Sequence, residues 1–376
     1  MQETTPSLST QPDVPRIQNK WAPQGLIEWC ALICLQAGWL NGLLATTNTF
    51  YGVMTFPAGL VYLHVHFSTL FIGTILMTRR KWFAVPFVLL SVFCILADWG
   101  LHPFGHSTQK SDVAIMSWNI QGLDTLTNPK DTCATDFLNS WTDDAQRPIL
   151  LFQEVPKSAV KTIEQSVNVQ CTWTSYFNHS KIGLLVCADP SWIFRFENHR
   201  SLETGTSYGF QQVEVSNPTR KQRFNILNVH MPSLALIARQ QGMSMRSTIE
   251  GTLKANPSPK HYLKLLRRQH EAHQESMESI VDLIKKLKDP TVVGGDFNMP
   301  PTASIHDYLL DIGMQDAHTQ AGWGWDFTTR RFGVLFNRID FLYASQQMTW
   351  GYQTTVHTEI TCSDHFPVTG MLSTEL

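Results

Sequence analysis

Three apolar runs crowded into residues 26–101 constrain this 376-residue chain more than any other feature. The first covers 26–45 and is interrupted by Glu28, Gln36 and Asn41. The second, 58–77, carries no formal charge. The third, 82–97, extends to residue 101 if Asp98 sits at an interface. A helix needs ~20 residues to cross a hydrocarbon core of ~30 Å. Backbone amides inside lipid must be satisfied internally, so such spans are helices. About three transmembrane helices are therefore expected over 26–101. A buried helical hairpin is the weaker reading, because three such runs in succession are hard to bury in one soluble core. A cleaved signal peptide fits less well still, since a polar leader precedes the first run and two more runs follow it.

Charge gives the direction. Arg16 and Lys20 precede the first run, and Arg79, Arg80 and Lys81 separate the second from the third, whereas 46–57 has no Lys or Arg. The positive-inside rule then places the N-terminal segment, 1–25, in the cytoplasm and everything after the third span outside it. A linker over 102–110 leads into a second unit, 111–376. His64 and His66, inside the second run, read as polar groups facing the bundle interior.

From residue 111 the texture changes to short β-rich runs separated by amphipathic segments. Strands are expected at 113–118, 149–153, 172–177, 183–187, 211–215, 224–230, 291–295, 338–343 and 366–371. Helices are expected at 132–142, 157–166, 261–288 and 304–310. Many strands interspersed with helices predict an α/β unit of two packed sheets with helices outside. Residues 1–110 hold six bases and four acids, so 23 of the 29 bases and 27 of the 31 acids belong to the rest, about −4 in charge. A surface that tracks long nucleic acid is normally basic. The 16% of charged residues in the whole chain excludes disorder and a coiled coil.

The chemistry lies where the predicted strands end. Ser117-Trp118-Asn119, Gln153-Glu154, Asn228-Val229-His230, Gly295-Asp296-Phe297-Asn298, Arg338-Ile339-Asp340 and Ser363-Asp364-His365 are each a polar cluster beside a hydrophobic strand. Strand ends converge on one rim of a sandwich, so these side chains can share a pocket. Asn119, Glu154 and Asp364 are oxygen donors of the kind Mg²⁺ or Mn²⁺ prefers. His230 and His365 can donate protons to phosphate oxygens or a leaving group. Asp296 can take a proton from water, Asn298 can orient that water, and Asp340 can hold a histidine in one tautomer. A divalent metal with imidazoles and carboxylates is apparatus for hydrolysing phosphate esters.

These six clusters, in this order, resemble the endonuclease/exonuclease/phosphatase superfamily over residues 111–376. The resemblance implies a four-layer sandwich of two mixed β-sheets flanked by helices. It implies that Glu154 is the principal metal ligand, that Asn119 helps bind metal and phosphate, and that Asp364 is a second carboxylate near the metal. It further implies that Asp296 aligns or activates water beside Asn298, and that Asp340 partners His365. His230 matches the histidine of the deoxyribonuclease, sphingomyelinase and phosphatase branches, and no counterpart is evident for the acid that partners it in some nucleases.

The layout of three spans followed by this unit resembles the membrane phosphohydrolases of bacterial teicoplanin resistance. That likeness implies a cell-membrane enzyme acting outside the cytoplasm on a lipid-linked phosphate such as a polyprenyl pyrophosphate. An extracytoplasmic nuclease and a non-catalytic phosphate-binding module are the alternatives. Two segments, 233–259 and 323–336, carry apolar or aromatic residues among arginines and suit either a headgroup region or ordinary loop packing. Lys264, Arg267 and Arg268 read as a solvated face of the long helix. Cys171 and Cys187 fall on consecutive predicted strands, where they can face each other as a disulfide or pack as small hydrophobes.

Overall fold

The structure, a computed structural model, describes residues 85–86, 88–89, 113–121, 132–144, 148–176, 181–201, 208–234, 236–237, 259–301, 303–322, 326–331, 334–351 and 354–374. The first two predicted spans, the linker and most of the third span lie outside these residues. Val85, Pro86, Val88 and Leu89 of the third run are helical. Among the described residues no helix is long and apolar enough to cross a membrane.

The strand β1 (Val113–Asn119) shows how the sequence builds the sandwich. Successive side chains point to opposite faces. Val113 and Ile115 enter one apolar cluster, and Met116 and Trp118 enter another on the opposite face. Both faces are buried, so the run is apolar throughout rather than alternating with charge. β2 (Ile149–Pro156) lies parallel to β1. β3 (Gln170–Ser175) and β4 (Ile182–Ala188) follow as an antiparallel pair on the β2 side.

A second sheet begins with β5 (Ile193–Ser201), β6 (Gly209–Asn217) and β7 (Gln222–His230), paired antiparallel in sequence order. β8 (Thr291–Asp296) then pairs parallel to β7. That pairing needs a glycine just before the last residue. Gly295 has φ 147°, and a Cβ there would lie 1.8 Å from the Val229 carbonyl oxygen. The sheet is completed by β9 (Gln315–Asp316) and β12 (Asp340–Ala344) in the order β5-β6-β7-β8-β12-β9. Between them β10 (Thr329–Arg331) and β11 (Val334–Asn337) form a separate antiparallel pair. β13 (Thr349–Trp350), β14 (Thr355–Val356) and β15 (Val368–Ser373) return the chain to the first sheet, ordered β13-β15-β1-β2-β4-β3 with β14 against β15.

The layers follow from which faces are apolar. Val113, Ile115, Leu151 and Val186 of the first sheet meet Val213, Phe224, Ile226 and Leu342 of the second in one interior cluster. The outer face of the first sheet is covered by α1 (Cys133–Asp144) and α2 (Val160–Val167), through Ala134, Leu138, Ile163 and Val167. The outer face of the second is covered by the 28-residue α3 (Pro259–Lys286), with Met277 and Ile280 against Leu227, Val229 and Val293. Along α3 the buried positions 265, 266, 269, 273, 276, 277 and 280 repeat at helical spacing. Lys264, Arg267 and Arg268 are exposed, as a solvated face requires. Two short helices, α4 (Asp307–Asp311) and α5 (Ala317–Ala321), complete the regular structure. Two mixed sheets flanked by helices is the expected architecture.

Two strand bounds shift, and two segments left open by the sequence are partly described. The strand expected from 338 begins at Asp340, because Arg338 is buried in ion pairs with Asp316 and with Asp326 at 3.6 Å. The last strand starts at Val368, two residues later than expected. Of the segment 323–336, Phe327 is buried, so this residue packs inward and is not a lipid contact. Of 233–259, Ile237 packs against Leu265 with Leu234 beside it, and residues 238–258 lie outside the described residues.

Candidate active site

β1 and β2 run parallel in one sheet, β7 and β8 in the other, and all four end at one rim. The register sets Asn119 opposite Gln153 and His230 opposite Asp296. Asp340 opens β12 opposite Asp296, and His365 forms an isolated bridge with Thr329. Asn119, His230, Asp296, Asp340 and His365, far apart in sequence, thus meet without any long loop having to carry them.

Beneath this rim the inter-sheet filling turns from apolar to polar. Gln153 Nε2 donates to Asn228 Oδ1 at 2.7 Å and to Ser117 Oγ at 3.3 Å. Asn228 Nδ2 donates to the carbonyls of Phe152 and Leu185 at 2.9 and 3.1 Å. All three side chains are fully buried. Such a bonded layer holds the sheets in one orientation, since a shift would leave buried polar groups unpaired.

The reacting groups stand above that floor. Asn119 Nδ2 donates to Asp296 Oδ2 at 3.0 Å and approaches Glu154 Oε1 at 3.4 Å. Glu154 sits where the β2–β4 register shifts, with φ 58°, and its side chain is 32% exposed. A left-handed carboxylate residue at a bulge aims a side chain that regular pleating would direct elsewhere. His230 Nε2 lies 3.6 Å from Glu154 Oε1 and 3.7 Å from Asp296 Oδ2. Asp296 Oδ1 accepts from the Asn298 backbone N–H at 2.8 Å, and Asn298 Nδ2 donates to the Met231 carbonyl at 3.0 Å. The Asn298 side chain therefore fastens the end of β7 to the turn after β8.

Asp340 is fully buried, and its carboxylate oxygens lie 2.9 and 3.1 Å from His365 Nδ1. His365 Nε2 lies 3.8 Å from Asp296 Oδ2. Burial opposes a charge on His365, but the Asp340 and Asp296 carboxylates outweigh it and raise its pKa to about 10. Burial raises Asp296 to about 6, with the Asp340 charge adding to it and His365, His230 and Asn119 pulling the other way. Asp364 is the outlier of the set. Its side chain is 45% exposed and its Oδ1 lies 4.0 Å from His365 Nε2. That oxygen is shielded from solvent and accepts no hydrogen bond among the described residues.

Sequence reasoning missed three contributors. Tyr176, just after β3, places its buried hydroxyl 2.9 Å from the Glu154 backbone N and 2.8 Å from His230 Nδ1. Its pKa is raised well above the usual value, by burial first and then by the Glu154 charge. Thr328 Oγ1 accepts from the backbone N–H groups of Ile339 and Asp340. A disulfide joins Cys133, at the start of α1, to Cys362 beside the Ser363-Asp364-His365 turn. Ser363 Oγ in that turn donates to the Asn119 carbonyl at 2.9 Å and accepts from the His365 backbone N–H at 3.1 Å. Only the second disulfide, Cys171–Cys187, had a signal in the strand pattern, and it forms between register partners of β3 and β4.

The sequence matches the Endonuclease/Exonuclease/phosphatase family over residues 116–365. The chain belongs to this family. An endonuclease/exonuclease/phosphatase from Bacteroides vulgatus is similar in structure, at 16% identity and TM-score 0.51, covering 71% of this chain and all of that one. A family protein from Bacteroides thetaiotaomicron gives 15% and 0.50, covering 71% of this chain and all of the other. At such identity the likeness is one of fold. No curated relative matches the chain.

Members of the family are metal-dependent phosphoester hydrolases, and so is this chain. The donors fit a hard divalent cation. Asp296, Asp340 and His365 each offer a ligand atom within 4.8 Å of the others, a different trio from the expected Asn119, Glu154 and Asp364. The Asp340 carboxylate is engaged by His365, so that trio reads as an ion-pair cluster rather than an open ligand set. Glu154 joins Asp296 through Asn119, and an amide bridging two carboxylates marks where positive charge is wanted.

Proposed function

We propose that this chain is a membrane-anchored hydrolase that acts outside the cytoplasm on a lipid-linked phosphate or pyrophosphate. One observation carries the compartment. Two disulfides lie within the catalytic unit, and disulfides persist in oxidising compartments and are rare in the cytosol. The apolar runs upstream of residue 102 supply the bilayer partner, and the acidic balance of 111–376 disfavours long nucleic acid.

In this reading Glu154, with Asp364 at the rim, would hold a divalent cation, Mg²⁺ or Mn²⁺, while Asn119, whose Oδ1 accepts from the Gln121 backbone N–H, orients Glu154 through its Nδ2. When bound, that ion polarises a phosphoryl oxygen and neutralises developing negative charge. Asp296, whose pKa near 6 suits a base at neutral pH, orients a water and takes its proton. His365, charged and gripped by Asp340, directs Nε2–H toward phosphate oxygens, and the charge favours the transition state over the ester. His230 Nε2 lies as close to Asp296 Oδ2 as His365 Nε2 does and binds a second oxygen. Asn298 keeps the β7 and β8 ends at fixed separation, so that His230 and Asp296 address one phosphorus.

The test uses the full chain reconstituted in vesicles with Mg²⁺ or Mn²⁺. The expected result is phosphate release from a polyprenyl pyrophosphate, with little nicking of DNA. Efficient DNA cleavage with the lipid untouched would sink the lipid reading. A topology reporter fused after Leu376 should be active only outside the cytoplasm, and activity in the cytosol alone would overturn the orientation.

A further inference from the structure

We infer that Tyr176 is a positioning residue that fixes His230 as an Nε2–H donor, in place of an acidic partner. The inference rests on the phosphoester-hydrolase reading for its kinetic arm alone. Its geometric basis is one hydroxyl with two partners. The Glu154 backbone N–H can only donate, so at 2.9 Å it occupies a lone pair of the Tyr176 oxygen. His230 Nδ1 lies 2.8 Å away on the same oxygen. If Nδ1 carried the ring proton, the hydroxyl would accept twice and its own hydrogen would need a third partner. No such acceptor meets the hydroxyl among the described residues, and Tyr176 is fully buried. A buried O–H left unpaired forfeits its hydration with nothing in return. The arrangement that satisfies every group has Tyr176 donating to Nδ1 and the ring proton on Nε2.

Nε2 is the nitrogen that faces the pocket, 3.6 Å from Glu154 Oε1 and 3.7 Å from Asp296 Oδ2. Tyr176 thus does two things with one oxygen. It presents a hydrogen-bond donor toward the phosphate, and it steadies the left-handed backbone of Glu154. The rings also pack at 5.4 Å between centroids, which restricts rotation of the imidazole. A carboxylate at this position would favour the opposite tautomer, with the proton on Nδ1. His230 is therefore not a copy of His365, whose Nδ1 faces Asp340.

The tautomer is read directly by ¹⁵N spectroscopy of ¹⁵N-histidine-labelled full-length protein in detergent, with His230 assigned by its loss in His230→Gln. The expected signature in the metal-free protein at pH 8 is a pyridine-like Nδ1 and a pyrrole-like Nε2. A protonated Nδ1 would overturn the inference, whatever ester is hydrolysed. In Tyr176→Phe the signature should shift to a mixture. The kcat for a p-nitrophenyl phosphodiester should fall ~10–100-fold, the range of one positioned hydrogen bond, with KM changed less than about threefold. In a His230→Gln background the same change should cost several-fold less in kcat than in the wild type, the remaining loss reporting the Glu154 backbone contact. An additive loss there would show that Tyr176 acts elsewhere and would overturn the inference. If Tyr176→Phe fails to fold, the wild-type spectrum still decides. If wild-type protein hydrolyses no ester, the functional reading fails while the tautomer result stands or falls separately.

Discussion

Asn119, the last residue of β1, donates its side-chain amide to Asp296, the last residue of β8, across 3.0 Å. The bond joins the two sheets at the point where the proposed water-activating carboxylate stands. It is buried and one partner is ionisable, which places it among the stronger protein hydrogen bonds. Asn119→Ala should destabilise the protein by about 1–3 kcal/mol and lower kcat/KM by roughly 10²-fold or more. Chemical unfolding and phosphodiester turnover measure the two effects. An active Asn119→Ala enzyme with reduced stability alone would confine Asn119 to architecture.

Glu154 has a different signature, because its side chain is 32% exposed and its contacts to Asn119 and His230 are long, at 3.4 and 3.6 Å. Glu154→Gln removes charge and keeps shape. It should leave the melting temperature of the metal-free protein within a few degrees and weaken divalent-ion binding in calorimetry. Turnover should fall by roughly 10³-fold, the scale of several kcal/mol of lost electrostatic stabilisation. Chelator treatment of the wild type should abolish activity, and Mg²⁺ or Mn²⁺ should restore it. Full activity in excess chelator would contradict the site.

The pH profile follows from the two buried titrating groups. Asp296 must be ionised to accept a proton, and its pKa is about 6, so activity rises with pH through that region. His365 must be charged, and its pKa is about 10, so activity falls as pH passes that value. The kcat/KM profile should be a bell with a broad plateau between the limbs. His365→Gln should remove the alkaline limb. A profile in that variant that still falls at the same alkaline pH would assign the limb to another group.

The disulfides should differ in their effects. Cys133–Cys362 closes a separation of 229 residues and Cys171–Cys187 one of 16. Loop-closure entropy gives about 5 and 3 kcal/mol for bridges of these lengths. The Cys133→Ser/Cys362→Ser pair should lower the melting temperature more than Cys171→Ser/Cys187→Ser. It should also lower kcat, because Cys362 leads directly into the turn that carries Ser363 and His365. Equal activity of both double variants would uncouple the bridge from catalysis.

Much of this was legible in the sequence because buried strands write themselves as apolar runs. Nine strands and four helices of residues 111–376 were expected within a few residues of their places. β5 was missed because its sequence, Ile193-Phe194-Arg195-Phe196-Glu197, alternates apolar with charged residues at a sheet edge. β10 and β11 were hidden among aromatics and arginines that read equally well as a loop. Asn119, Glu154, His230, Asp296, Asp340 and His365 were recognisable as polar residues interrupting hydrophobic strands. Tyr176 was not, since a tyrosine just after a half-buried strand looks like packing until the two groups beside its hydroxyl are known. Gln153 and Asn228 stood in the quoted clusters without a role, because pairing across sheets depends on their relative placement.

The connectivity of the cysteines sets a problem of timing. Of the four bridged cysteines, Cys133 is made first, Cys171 and Cys187 follow, and its true mate Cys362 comes last. A chain oxidised as it emerges meets Cys171 long before Cys362, so joining neighbours in order of appearance produces the wrong bond. If the unit folds outside the cytoplasm as proposed, correct pairing would then depend on a reshuffling catalyst, and cells lacking disulfide isomerase should accumulate Cys133–Cys171 crosslinked protein, detectable by mapping its peptides.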